Sequence, residues 1–379
     1  MLRHHRRLLF PVLALLLTLP LLVQVLAPPQ PIPTSEEMRV PAPPPRPLRR
    51  MADLPDVLRE ADAWLRDHFG FRAALIHAQS FLAREVLHSG NERILIGRDD
   101  WFFLLGIDES LAQSAGVVVR PERVAATADL LADMRRVLAA RGIKLLVASP
   151  PSSATLYPEE LPDWARNPGR PTHYDLLYAA LAERGVPAVD LRSALRAEKP
   201  RGHVSQMHDS HWSPLGALAA FNAVVDAAGL PDWRMTPETA LAPLVQVHGG
   251  DSTRLLGVAA DETEPLQALA VPAGVFHELA PGSAPTGEIV GAHAGPTIMV
   301  IGDSFTRNLM SDLVAARAGR FVWVHHQSCG FDWKWIDIAK PAQVWYMPAE
   351  RLLLCAPGRR PAGFAAALSA LAASQPDPH

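Results

Sequence analysis

The sequence predicts an α/β fold, a mainly parallel sheet covered by helices on both faces. Two observations predict it. From about residue 121 onward, short apolar runs alternate with amphipathic stretches of helical length. Ser304 stands just after the apolar run 297–301, where such sheets bind their ligands. A chain of 379 residues with 49% apolar and 20% charged side chains can bury a large core, as one large domain or two ordinary ones.

Taken in order, Leu54, Val57, Leu58, Ala61, Leu65 and Phe69 recur at helical spacing over 53–69. Gly70 breaks that helix, and a second apolar helix follows over 73–87. Residues 93–96 and 101–104 flank Gly97-Arg98-Asp99-Asp100 as a β-hairpin. Helices are expected over 121–141, 174–184 and 214–228, and strands over 143–148, 186–189, 297–301, 321–324 and 344–347. A further helix is expected after Ser304. The segment 231–295 is poor in periodicity and rich in Gly and Pro, so it reads as an insertion or irregular subdomain.

The N-terminus reads as an export element. Arg3, Arg6 and Arg7 precede an uncharged apolar stretch over 8–27, long enough to span a hydrocarbon core with its basic flank in the cytoplasm. A cleaved signal peptide is the alternative, with Val25-Leu26-Ala27 as small-residue site, although Pro28 directly after the cut disfavours it. Nine prolines between residues 28 and 47 then predict an extended tether. Cys329 and Cys355 either form a disulfide in the exported chain or remain two buried thiols. A net charge of −3 without a basic cluster argues against nucleic acid as a partner.

Two motifs carry the chemistry. In Thr297-Ile298-Met299-Val300-Ile301-Gly302-Asp303-Ser304-Phe305 an apolar strand runs into Gly302, and Ser304 sits on the turn before a helix. A serine hydroxyl becomes a nucleophile once a base takes its proton and backbone N–H groups receive the oxyanion. The plainer reading is that Asp303 or Ser304 caps the next helix. In Met207-His208-Asp209-Ser210-His211-Trp212-Ser213, Asp209 could orient the His211 ring while its other nitrogen serves Ser304. A metal site of His208, Asp209 and His211 competes with that reading, though no further ligand cluster accompanies it. Together the motifs predict a triad of Ser304, His211 and Asp209.

Asp209-Ser210-His211-Trp212 followed by Gly302-Asp303-Ser304-Phe305 resembles the alginate O-acetyltransferase family (AlgJ/AlgX), a permuted branch of the SGNH, or GDS, hydrolases. So do Asp67-His68-Phe69-Gly70-Phe71-Arg72, Ile96-Gly97-Arg98-Asp99-Asp100-Trp101-Phe102-Phe103, Tyr157-Pro158-Glu159-Glu160-Leu161-Pro162, and Gly250-Asp251 with Leu255-Leu256-Gly257. The resemblance runs from residue 60 to about 350. It implies an SGNH-like sheet sandwiched by helices, with Ser304 as nucleophile, His211 as base and Asp209 as its orienter. It implies acetylation of hydroxyls on an exported, alginate-like polysaccharide, the acetyl group being supplied by a membrane-bound O-acyltransferase, without a cofactor. The expected organisation is a transmembrane anchor over 1–27, a Pro-rich linker over 28–50 and the SGNH-like domain over 51–379. The expected location is the bacterial inner membrane, single-pass, with the domain in the periplasm. The family often carries a lysine after the strand that here ends Ser149-Pro150-Pro151-Ser152-Ser153, and this chain has none there.

Lesser candidates for substrate contact are Trp333 and Trp335, which lie in a polar stretch, Arg307 one turn beyond Ser304, and Tyr157. Asn308 and His325-His326 could also face the cleft. The competing functions are an esterase or deacetylase with the same triad, and a non-catalytic scaffold in an export complex, against which the intact triad speaks.

Overall fold

The computed structural model of the protein describes residues 41–374 apart from 69, 88, 259–261, 280–284 and 292, with a few scattered positions between 14 and 26. The stretch 8–27 therefore lies mostly outside the described residues. Among those described, no helix is long and apolar enough to cross a membrane. The backbone divides into two compact units, one over 1–96 and 248–262, the other over 97–247 and 263–379.

In the first unit, residues 41–49 have no regular structure, and helices follow at Leu54–His68 and Arg72–Phe81. The second continues as one wide turn over Leu82–Val86, reaching almost as far as the sequence suggests. The Asp67 carboxylate accepts from the Ala42 amide at 2.7 Å, which ties the extended segment to the first helix. Strand β1 (Ile94–Ile96) ends this part of the chain, and a short helix, Asp251–Leu256, closes on Gly257 in a left-handed turn.

The second unit opens with β2 (Phe102–Leu104), preceded by the turn expected of a hairpin, where the Gly97 amide donates to the Trp101 carbonyl at 2.7 Å. Its sheet holds β3 (Lys144–Val147), β6 (His277–Glu278), β7 (Thr286–Val290), β8 (Thr297–Gly302), β9 (Arg320–His325) and β10 (Gln343–Met347). They stand in the spatial order β3-β10-β8-β9-β7-β6. The first four are mutually parallel, whereas β7 and β6 pair antiparallel at one edge. Segment 186–189 contributes only a bridge, Val147 to Ala188, because Pro187 and the short run leave one residue in register. Every side chain of β10 is buried, as are those of β8 after Thr297, which is why these central strands read as continuous apolar runs.

The helices Pro121–Ala139, His173–Glu183 and Pro214–Ala227 form where the periodicity places them. Thr172 and Asp175 make a reciprocal capping box at the start of the second, and Ser213 caps the third with Pro214 in its first turn. The segment after 231 is more ordered than its composition suggests. It holds β4 (Leu241–His248) paired with β5 (Thr263–Leu269), and then the antiparallel edge strands β6 and β7.

Cys329 and Cys355 are bonded, with Cα atoms 5.6 Å apart, and the bridge joins the turn after β9 to the segment after β10. A closed loop of 26 residues corresponds to about 3.5 kcal/mol of lost unfolded-state entropy. Replacing both cysteines by serine should lower unfolding stability by about 3 kcal/mol in urea titrations of the oxidised chain. Equal stability of the variant and the parent would show that the bridge contributes nothing.

Candidate active site

The site stands at the carboxyl edge of the sheet, on the strand flanked by β9 and β10. Strand β8 ends at Gly302, where a Cβ would lie 2.3 Å from Thr306 Oγ1, so only glycine lets the next turn fold back this closely. Asp303 is buried and fixes that turn from both sides. One carboxylate oxygen accepts from the Phe305 amide at 3.0 Å and the other from the Ala349 amide at 2.7 Å, on the segment after β10. Asp303 is thus the helix cap of the motif. Ser304 is left exposed at the first position of the short helix Ser304–Arg307.

The second motif is carried by a tight loop leading into the helix Pro214–Ala227. The Ser213 amide donates to the Val204 carbonyl at 3.0 Å and the Gln206 amide to the His211 carbonyl at 3.1 Å. Helix and loop approach so closely that a Cβ on Gly216 would meet the Val204 carbonyl oxygen at 1.9 Å. The tip is braced by Glu264 of β5, whose carboxylate accepts from the Met207 and His208 amides at 2.9 and 3.2 Å. Burial raises the Glu264 pKa, and those two amides pull against the rise.

These constraints bring the two motifs together. His211 Nδ1 lies 2.6 Å from Asp209 Oδ1, which also accepts from the His211 amide at 2.9 Å. His211 Nε2 lies 2.7 Å from Ser304 Oγ. A carboxylate on the Nδ1 side holds the ring proton there, which leaves Nε2 to accept the serine proton. The ring rests against Phe305, centroids 4.7 Å apart, and Phe305 meets the buried Trp212 edge-on at 5.4 Å. Both ring nitrogens of His211 are engaged in this chain, and His208 Nε2 faces Asp100 instead, at 3.2 Å from its carbonyl and 3.3 Å from its carboxylate.

The lesser candidates fare differently. Trp333 is 2% exposed and sits in the core, stacked at a tilt on Phe364 with centroids 4.6 Å apart, so it offers no face to a sugar. Trp335 is half-buried against the same core, with the Lys334 ammonium 5.4 Å from its ring. Tyr157 is 4% exposed, and its hydroxyl accepts from the Val204 amide at 2.8 Å while its ring lies against Trp101. It braces the loop that bears His211 and is not available as a substrate contact. Arg307 and Asn308 are exposed beside Ser304, and the Arg307 guanidinium lies 4.5 Å from the Phe276 ring centroid. His326 is buried beside Gly302, and burial lowers its pKa to about 4, which keeps the ring neutral. The braces at Glu264, Tyr157 and Gly216 escape sequence reasoning because their partners lie far along the chain or on the backbone.

Comparison with known proteins gives the family of the chain. Residues 94–322 match the family model described as the SGNH hydrolase-like domain of the acetyltransferase AlgX. A probable alginate O-acetylase AlgJ of Pseudomonas syringae pv. tomato is 28% identical over 209 residues, covering 52% of this chain and 50% of that protein. The protein of the same name from Pseudomonas aeruginosa is 33% identical over 135 residues, covering 35% of this chain and 32% of that protein. The chain thus spans half or less of the length of these relatives. Among solved structures, the O-acetyltransferase domain of Pseudomonas putida AlgJ aligns with 21% identity and a TM-score of 0.44, covering 74% of this chain and 99% of that domain. Since the family model takes in more than half of its residues, the chain belongs to the SGNH hydrolase-like family of AlgX acetyltransferase domains.

Proposed function

We propose that the chain is an O-acetyltransferase that moves acetyl groups onto hydroxyls of an exported, alginate-like polysaccharide. The observation that carries this reading is the Asp209–His211–Ser304 chain at 2.6 and 2.7 Å, with the serine exposed to an acceptor. Its family and the names of its relatives support the substrate class. Ser304 Oγ attacks the acetyl carbonyl of the donor while His211 Nε2 takes its proton. The oxyanion faces the Ser304 amide, the first N–H of the turn. His211 then protonates the departing donor group, which leaves an acetyl ester on Ser304. A sugar hydroxyl repeats the sequence in the second half: it loses its proton to His211, attacks the ester, and Ser304 recovers the proton. Asp209 holds the ring and balances the imidazolium in both halves.

Arg307 is the residue assigned to the acceptor near Ser304, since stacking on Phe276 fixes its guanidinium within a turn of the nucleophile. Residues 8–27 would hold the chain in the bacterial inner membrane, residues 28–50 would tether the catalytic part in the periplasm, and a membrane-bound O-acyltransferase would supply the acetyl group. The test is to give the full chain an activated acetyl ester together with uronic acid oligosaccharides and follow acetyl mass gained by the sugar. Acetylated product that rises with acceptor length is expected, because alignment must favour the sugar hydroxyl over abundant water. Acetate release at a rate indifferent to every oligosaccharide offered would instead make the protein an esterase.

A further inference from the structure

We infer that the cavity between the short helix Ser153–Leu156 and the loop 158–171 is a second glycan subsite, one that binds a carboxylated sugar of the acceptor chain away from Ser304. The inference rests on the reading that Ser304 serves a polysaccharide. The cavity has a volume of about 500 Å³, within the usual range of ligand pockets. Its walls are the short helix Ser153–Leu156, the loop around residues 158–171, the start of the helix His173–Glu183 and one side of the helix Leu191–Glu198.

The charge on those walls is unbalanced. Arg170, Arg192 and Arg196 line the cavity, against the single carboxylate of Asp175. Arg192 is already neutralised, bonded at 2.7 Å to both Asp175 and Asp190. Arg196 is exposed, gives one nitrogen to the Thr155 carbonyl at 3.0 Å, and its charge also acts on the Glu159 carboxylate. Arg170 is exposed, and its backbone is pinned by Asn167, whose side-chain oxygen accepts from the Arg170 amide at 2.7 Å and whose nitrogen donates to its carbonyl at 2.9 Å. Two cations held by a fixed backbone around a cavity suit an anion, and the planar guanidinium fork suits a carboxylate.

A sugar needs an apolar face as well as a charge. Trp164 is 71% exposed, while its neighbour Ala165 lines the cavity. An indole that exposed on a turn fixed by the Ala165 amide to the Pro162 carbonyl offers its ring to a passing pyranose. Pro158, Leu161 and Pro171 supply further apolar wall.

The subsite is also joined to the catalytic turn. Thr155, on the cavity wall, donates to the buried Glu350 at 2.9 Å, and Glu350 follows Ala349, whose amide donates to Asp303. Thr155 follows β3 and Ser304 follows β8, parallel strands two positions apart whose carboxyl ends lie at the same edge of the sheet.

The test is calorimetric titration of the full chain carrying Ser304→Ala, with no acetyl donor, using a hexamer of uronic acid, a neutral hexamer of the same linkage and a sulfated neutral hexamer. The uronic acid chain should bind best, more weakly at high salt. Adding Arg170→Gln and Arg196→Gln together should weaken it by about tenfold or more, and Trp164→Ala should weaken it as well. Equal binding of the neutral chain, stronger binding of the sulfated chain, or indifference to all three substitutions would overturn the subsite. All three side chains are exposed, and an unchanged thermal midpoint checks the fold. Because no acetyl group is transferred in this measurement, retained acidic binding alongside a failed transfer assay would count against the transfer reading alone.

Discussion

Ser304→Ala should leave a folded chain that has lost about 10³-fold or more of its turnover with an activated acetyl ester. Among the described residues the exposed hydroxyl makes one side-chain hydrogen bond, to His211 at 2.7 Å, and Asp303 caps the turn independently, so removing the oxygen costs little stability. His211→Ala should cost a similar factor, because without the imidazole the hydroxyl keeps its proton. Asp209→Asn keeps the shape but offers Nδ1 an amide in place of a carboxylate, and it should lower turnover by about 10³-fold through the wrong tautomer. The three act as one unit, so the double variant Ser304→Ala/His211→Ala should be scarcely slower than either single one. Rates are read by acetate release, and folding by a cooperative thermal transition. Full activity in Ser304→Ala would end the assignment, and so would additive losses in the double variant.

The catalytic geometry is legible in the sequence because each half of it is local. An apolar run ending at Gly302 has few folds other than a buried strand with a turn at its end, and Asp209 lies two residues before the histidine it orients. What the sequence cannot give is the bond between them, 93 residues apart, and it is the shared sheet edge that supplies it. The insertion is misread for a related reason. Strand β4 exposes most of its side chains, so it has neither the alternation nor the apolar run that marks a strand, and β7 is recognised only through its pairing with β9. Tyr157 carries a family resemblance without a derivable role until the Val204 amide, 47 residues on, is seen to meet its hydroxyl.

Trp333 shows the same limit with the largest consequence for stability. Its neighbours Asp332 and Lys334 are polar, which is why the local sequence suggests a surface ring available to sugar. The burial comes from elsewhere. The backbone amide of Trp333 donates to the Ala362 carbonyl at 2.9 Å, and the ring is covered by Phe331 and by Phe364 at the start of the helix Phe364–Ser374. Trp333→Ala should therefore cost about 3–5 kcal/mol of unfolding free energy, measured as a lower urea midpoint, from lost burial and the cavity left behind. Trp333→Phe should be far milder. The indole nitrogen has no hydrogen-bond partner among the described residues, so phenylalanine keeps most of the apolar area and removes a buried unpaired donor. Trp335→Ala, at a half-buried position, should fall between the two. If Trp333→Ala instead kept the parent's stability and lost affinity for oligosaccharide, the ring would belong to the acceptor site and not to the core.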